Sequence, residues 1–444
     1  MGPKQIGFAT LLRREFHYNL AASRLPSAAS FPFDIGPSLA SPLHVDGEAR
    51  QNLKRIVCVI GTRPEAIKMA PVIRLLQRES WCQVSVLCTA QHRGLLDQVL
   101  ELFRIVPDAD FGVMRPNQTL CGLTARLIEH FDQTLSGLRP DALLAQGDTT
   151  SVLAAALCSF YHKVPFGHVE AGLRTRNLYS PFPEEMNRLM CARIARWHFA
   201  PTVASRTNLL EEGIAPEQVH VTGNTVIDAL LQVALQCNES PAPAGLRLVL
   251  VTAHRRENFG APFRNVCRAI LHLAERRPDI QFLYPVHPNP NVKDVAFEIL
   301  GSHPRIRLVE PLDYRSFVAA MKQAHFIISD SGGVQEEAPA LAKPVLVLRD
   351  ETERPEAVGA GVVRLVGTDF ERIVAEATRL LDDSVHYASM AHGASPYGDG
   401  RASQRIAAIL KKDLGVVEAE VALPPLYAPP VSAGAAQLSA APPS

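Results

Sequence analysis

The sequence lacks any uncharged, proline-free apolar run of about 18 residues, so no segment reads as a membrane span. It also lacks net charge: 45 Lys and Arg balance 45 Asp and Glu. No global field therefore recruits nucleic acid or an anionic membrane, and any anion has to be held by a local site. There is no C-x-x-C. The eight cysteines (Cys58, Cys82, Cys88, Cys121, Cys158, Cys191, Cys237 and Cys267) are scattered, several inside apolar patterns, which fits reduced thiols of a cytoplasmic protein better than a disulfide frame or a zinc site. G-x-x-x-x-G-K-[ST] and G-x-G-x-x-G are absent as well, which argues against Walker-type hydrolysis and nicotinamide binding. No nucleophile elbow, metal-ligand cluster or pyridoxal-lysine motif takes their place.

What is present is length and alternation. At 444 residues the chain exceeds what a single core supports, and two lobes are expected. Residues 1–52 carry Arg13, Arg14 and Arg24 among Ser, Ala and Pro, with no apolar stretch leading to a cleavage site, and read as an extended start or disordered leader rather than a targeting segment. Ile6 stands where myristoylation needs Ser or Thr. Ala422 to Ser444 carries no charged side chain and repeats proline, so 414–444 reads as a disordered tail.

Between the tails, short apolar runs alternate with helical patterns: RIVCVIG (55–61), VSVLCTA (84–90), ALLAQGD (142–148), VPFGHVEAG (164–172) and WHFAP (197–201). Continuous rather than alternating hydrophobicity marks strands buried on both faces of a parallel sheet. After a polar, proline-containing link (CNESPAPAG) a second series begins, with LRLVLVTAH, IQFLYPVH, IRLVEP, FIISDSGG, PVLVLRD and VVRLVG. The predicted fold is α/β: two Rossmann-like, doubly wound lobes over 53–225 and 226–392 facing a central cleft, then a C-terminal helix within 393–413 packing back on the first lobe.

Ligands of such sheets bind beyond the carboxyl ends of the strands, and there the chemistry-bearing residues gather. In GTRPEAIK, Thr62 and Glu65 have capping-box spacing and Pro64 suits the first helical turn. Arg63 and Lys68 would oppose the helix dipole unless an anion sits between them and the helix N-terminus. Losing either charge is then expected to weaken anion binding more than the fold. In DSGGVQEEA, Ser331 can cap a helix, while Gly332 and Gly333 let backbone amides approach a diphosphate. Glu337 faces a hydroxyl-rich group such as ribose, and Arg354 adds an anion contact. Asp148 and Glu170 end neighbouring strands; Asp148 alone could be a helix cap. Glu184 could merely pair with Arg188 at i+4, and His254 could be a strand-end imidazole. Together they are three carboxylates and a histidine beside two anion sites, which suits acid and base work on a sugar carrying a nucleotide diphosphate.

These motifs, with TAQHRGLLDQVLELF, SPFPEEMNR, TGNTVIDAL and PVHPNPNV, resemble the non-hydrolysing UDP-N-acetylglucosamine 2-epimerases from about Lys54 to about Leu410. The resemblance implies a GT-B-like fold and interconversion of UDP-GlcNAc and UDP-ManNAc, by elimination of UDP to 2-acetamidoglucal and re-addition, for surface polysaccharide. It implies Asp148, Glu170, Glu184 and His254 as catalytic residues. Substrate contacts would be Arg63, Lys68, Asp148, Glu170, His254, Phe317 (against uracil), Ser331, Gly332, Gly333, Glu337 and Arg354. Gln91, Arg255 and His287 match positions that hold a second, allosteric UDP-GlcNAc in some relatives. There Gly94 replaces a polar residue, and near the uracil Leu312 replaces a Gln. A cytoplasmic homodimer without metal or cofactor is implied. The alternatives are a hydrolysing epimerase releasing ManNAc and UDP, and a catalytically idle nucleotide-sugar binding module.

Overall fold

The computed structural model describes residues 53–89, 93–237, 245–352, 354–393 and 395–416. The segments read as leader (1–52) and as tail beyond Val416 lie outside the described residues, and so does Gln91. Among the described residues no helix is long and apolar enough to cross a membrane. Seven of the eight cysteines are buried, Cys121 is exposed, and all are free thiols.

Seven strands form the first sheet: β1 (Lys54–Ile60), β2 (Cys82–Cys88), β3 (Ala109–Asp110), β4 (Ala142–Gln146), β5 (Phe166–Val169), β6 (Trp197–Ala200) and β7 (Val219–Val221). Six form the second: β8 (Arg247–Thr252), β9 (Ile280–Pro285), β10 (Ile306–Val309), β11 (Ala324–Ser329), β12 (Val345–Val347) and β13 (Val363–Leu365). All pairings are parallel, in the orders β3-β2-β1-β4-β5-β6-β7 and β10-β9-β8-β11-β12-β13. Each order reverses direction once, between β1 and β4 and between β8 and β11. Beyond the carboxyl ends of these pairs lie the crevices where doubly wound sheets bind ligands.

The strands read as continuous apolar runs because both faces are covered. In β1, Ile56, Cys58 and Ile60 pack into the cluster under helix Arg63–Leu76. Val57 and Val59 join the cluster on the opposite face, beneath helices Leu120–Leu138 and Thr150–Tyr161. In β8, Leu248 and Leu250 share the first of these clusters, while Val249 and Val251 pack into a separate one. The two-residue β3 and three-residue β7 are edge strands too short for any pattern in the sequence.

Helix Thr225–Ala234 joins the lobes, with Val226, Ile227 and Leu230 in the cluster that holds both Ile56 and Leu250. The C-terminal helix, Ala402–Asp413, has no side-chain cap of its own. Asp228 of the connecting helix supplies one, its Oδ1 accepting from the Ser403 N–H at 2.8 Å and the Ser403 hydroxyl at 2.6 Å. At the other end the Trp197 indole donates to Asp413 Oδ2 at 2.7 Å, tying this helix to β6 of the first sheet.

Candidate active site

The capping box after β1 is formed. The Glu65 N–H donates to Thr62 Oγ1 at 3.4 Å, and Glu65 Oε2 accepts from the N–H of Gly61 (2.5 Å) and Thr62 (3.1 Å). A Cβ on Gly61 would stand 2.9 Å from both Glu65 Oε2 and Ser151 Oγ, so only glycine fits. Burial pushes the Glu65 carboxyl up to about 7 despite those hydrogen bonds. The cap starts the helix at Arg63, which lines a cleft of about 250 Å³ whose other walls belong to the second lobe.

Lys68, one turn further, is paired. Its Nζ donates to Glu170 Oε1 at 2.5 Å. Glu170 is buried at the end of β5 with a left-handed backbone (φ 65°), a conformation costly for any residue with a Cβ. Its Oε1 also accepts from Asn224 Nδ2 at 2.8 Å, and Gln146 Nε2 donates to Oε2. Burial alone would raise the Glu170 carboxyl, but Lys68, Arg354 and the Asn224 hydrogen bond together outweigh it and hold the group below the usual range.

Asp148 follows β4 through Gly147, whose φ of 90° needs glycine. It is not the helix cap. Thr149 occupies the N-cap position without a side-chain bond, and the Asp148 carboxylate pairs with Arg188 at 2.7 Å. The i+4 pair of Glu184 with Arg188 does not form either, because the guanidinium turns to Asp148 and Glu185. Glu184 opens helix Glu184–Ile194 and lines a neighbouring groove of about 440 Å³ with Arg115, Thr149 and Thr150. The structure thus puts Glu184 beside the residues that follow Asp148 and outside the cleft lined by Arg63.

That cleft is otherwise built from the ends of β8, β9, β10 and β11 and from the helices Tyr314–Gln323 and Gly332–Ala340. His254 Nδ1 is 3.7 Å from Asp330 Oδ1, and Asp330 Oδ2 accepts the backbone N–H of His254 and of Arg255, each at 2.8 Å. The ring of His287 stacks on His254 at 5.6 Å between centroids. Burial, reinforced by His287, keeps His254 below the usual imidazole range although Asp330 opposes the shift. Two of the three positions implied as allosteric therefore adjoin this cleft: His287 lines it, and Arg255 Nη2 lies 3.9 Å from where a Gly332 Cβ would stand.

Helix Gly332–Ala340 begins here. Ser331 is at its N-cap position but makes no side-chain capping bond, so its hydroxyl is not committed to the helix. Glu337 lines the cleft, buried, and accepts from the Tyr314 hydroxyl at 2.9 Å. Burial pushes its carboxyl up to about 7. Phe317 and Leu312 form the apolar end of the same cleft. Arg354 does not line it: its Nε donates to Glu336, and that carboxylate holds the guanidinium above its usual range.

The sequence patterns missed the connectors. Asn224 Nδ2 reaches Glu170 at 2.8 Å and Glu336 at 3.3 Å, linking Lys68 and Arg354 through one buried chain of groups. Asn224, Glu336, Asp330 and Arg188 all stand inside conspicuous motifs (TGNTVIDAL, GGVQEEA, SDSGG, PEEMNR), which was the only signal available. Among the described residues no three His, Cys, Asp or Glu side chains are grouped to hold a metal. The arrangement offers an uncommitted cation (Arg63), a helix N-terminus with two glycines, an apolar end and ionisable groups from both lobes. It can accept an anion attached to an apolar ring.

The family profile of UDP-N-acetylglucosamine 2-epimerase matches residues 74–411. The UDP-N-acetylglucosamine 2-epimerase of Escherichia coli (strain K12) is 50% identical over 371 residues, 81% of this chain and 99% of that protein. Among solved structures, the Neisseria meningitidis UDP-GlcNAc 2-epimerase bound to UDP-GlcNAc is similar, with a TM-score of 0.74 and 47% identity over 81% of this chain and 100% of that one. So is the Methanocaldococcus jannaschii UDP-GlcNAc 2-epimerase in complex with UDP-GlcNAc and UDP, with a TM-score of 0.67 and 32% identity over 81% and 99%.

Proposed function

Since the chain belongs to the UDP-N-acetylglucosamine 2-epimerase family, we propose that it interconverts UDP-GlcNAc and UDP-ManNAc by the non-hydrolysing route. The observation that carries this reading is the shared cleft: Arg63 from one lobe faces His254, Ser331, Gly333 and Glu337 from the other, with Asp148 and Glu170 at the neighbouring strand ends.

In this reading uracil lies against Phe317 and Leu312, ribose meets Glu337, and the diphosphate rests on the helix N-terminus at Ser331, Gly332 and Gly333 with Arg63 and His254 beside it. The C2 proton is not next to a carbonyl and is a poor acid, so its removal has to accompany departure of UDP. A carboxylate takes the C2 proton, the C1–C2 double bond of 2-acetamidoglucal forms, and the C1–O bond breaks with its electron pair going to UDP. The cations and amides stabilise the charge that grows on the diphosphate. Return of a proton to the opposite face of C2, with UDP adding back to C1, gives the epimer. Asp148, Glu170 and Glu184 are the carboxylates assigned to these transfers. Lys68 and Arg354, each held by a carboxylate in the free protein, reach the diphosphate by exchanging that partner for it.

We further place the enzyme in the cytoplasm as a homodimer that supplies ManNAc units for surface polysaccharide. Incubation of the purified chain with UDP-GlcNAc, followed by separation of nucleotide sugars, tests the activity. UDP-ManNAc in a stable mixture with substrate is expected. Accumulating free ManNAc and UDP would assign the hydrolysing branch, and unchanged substrate would leave only a binding module.

A further inference from the structure

Two residues of one helix bind Asp148, and a third braces one of them. Arg188 Nε donates to Asp148 Oδ2 at 2.9 Å, and its Nη2 approaches the same oxygen at 2.7 Å. Asn187 Nδ2 donates to the Asp148 backbone carbonyl at 2.7 Å. Glu185 holds the far side of the guanidinium, accepting from Nη1 at 2.9 Å. Glu185 is itself fixed: it is 1% exposed, and its Oε1 accepts the N–H of Thr175 (3.0 Å) and of Arg176 (2.9 Å). The Arg188 side chain is 13% exposed, so this contact is largely shielded from water.

The geometry is selective between the two carboxylate oxygens. Both close guanidinium nitrogens meet Oδ2, and no described residue donates to Oδ1. We propose that Arg188 is a positioning residue for Asp148: it occupies Oδ2, fixes the plane of the carboxylate and leaves Oδ1 as the one oxygen able to exchange a proton with the sugar. A planar fork held at its far end by a buried glutamate does this where a lysine, a point charge on a flexible stem, does not. A tie that merely joined helix Glu184–Ile194 to the end of β4 would need only the Asn187 bond to the backbone, which Arg188 does not supply. The inference rests on the reading of Asp148 as an acid–base group, and it explains why PEEMNR carries an arginine that its own Glu184 does not bind.

The test uses the full chain with Arg188→Ala and Arg188→Lys, read by UDP-GlcNAc turnover, UDP affinity and thermal melting. Misplacing a reacting group by about 1 Å costs on the order of 100-fold in rate. For Arg188→Ala we therefore expect kcat to fall about 100-fold, with KM and UDP affinity within about threefold of wild type. Millimolar guanidinium should restore at least about a tenth of the lost rate by refilling the vacated site. Arg188→Lys should regain only part of kcat. A kcat within about threefold of wild type in both variants overturns the proposal, and so does a loss of kcat matched by equal losses of UDP binding and melting temperature. If Arg188→Ala does not fold, Arg188→Lys decides: depressed kcat with unchanged UDP affinity supports the role, and full activity refutes it. A wild-type chain without turnover overturns the epimerase reading and this inference with it, a result distinct from an active wild type with equally active variants.

Discussion

Lys68 Nζ and Glu170 Oε1 lie 2.5 Å apart, with 16% and 6% of their side chains exposed. This pair changes the consequence of removing the lysine charge. The motif alone suggests that such a loss weakens anion binding more than it loosens the fold. Breaking a largely buried pair instead costs about 3 to 5 kcal/mol, because a charge is left without its partner. Lys68→Met is therefore expected to lower the melting temperature measurably and to abolish turnover. Lys68→Met combined with Glu170→Gln should be more stable than Lys68→Met alone, a non-additivity that denaturant titration of Lys68→Met, Glu170→Gln and the double variant checks.

Arg63 offers the contrast. It lines the cleft without a hydrogen-bond or ion-pair partner among the described residues, so Arg63→Gln should keep the wild-type melting temperature within about 1 °C while UDP affinity falls roughly tenfold. The tenfold figure corresponds to losing about 1.4 kcal/mol of charge-assisted contact. Calorimetric titration with UDP reads this directly.

Gly332 and Gly333 separate fold from function more cleanly. Neither has a positive φ, and a Cβ on either would meet nothing closer than 3.8 Å. The free protein thus has room for alanine at both positions, and alanine in the first helical turn should raise stability by up to about 1 kcal/mol. If a diphosphate packs against this backbone, Gly332→Ala and Gly333→Ala should still weaken UDP binding at least about tenfold. Variants that are both more stable and equally tight would remove the helix N-terminus from the binding site.

Glu337 gives the pH prediction. Its folded pKa of about 7 lies above the unfolded value of 4.5, so the folded state binds the proton more tightly. The penalty is absent below about pH 4.5, grows as pH rises through the window from 4.5 to 7, and is complete above it, where it is on the order of 3 kcal/mol. Glu65, raised similarly to about 7, adds in the same direction. Glu337→Gln should therefore shrink the loss of melting temperature between pH 5 and pH 8 relative to wild type. An unchanged slope would mean that Glu337 is ionised throughout.

The sheet strands were legible because strands covered on both faces, such as VCVI in β1, leave an unbroken apolar run. The short edge strands Ala109–Asp110 and Val219–Val221 leave no such trace. The site was legible where one motif ends one strand: Arg63, Asp148, His254 and Ser331 stand at the carboxyl ends of β1, β4, β8 and β11, the strands flanking the two reversals of sheet order. Partnerships were not. Asn224 meets Glu170 and Glu336 across 54 and 112 residues, and Arg188 prefers Asp148, 40 residues away, to Glu184 on its own helix. Such choices depend on how helices seat on the sheets, which local spacing does not encode.

In the proposed reaction a carboxylate removes the C2 proton while UDP departs, and proton NMR of the purified chain with UDP-GlcNAc in deuterated water reads that step. UDP-ManNAc should stand at equilibrium with UDP-GlcNAc, both carrying deuterium at C2, with no such exchange in Asp148→Asn, which should still bind UDP. Epimerisation with the C2 proton retained, or exchange at the wild-type rate in Asp148→Asn, would contradict the proposed reaction.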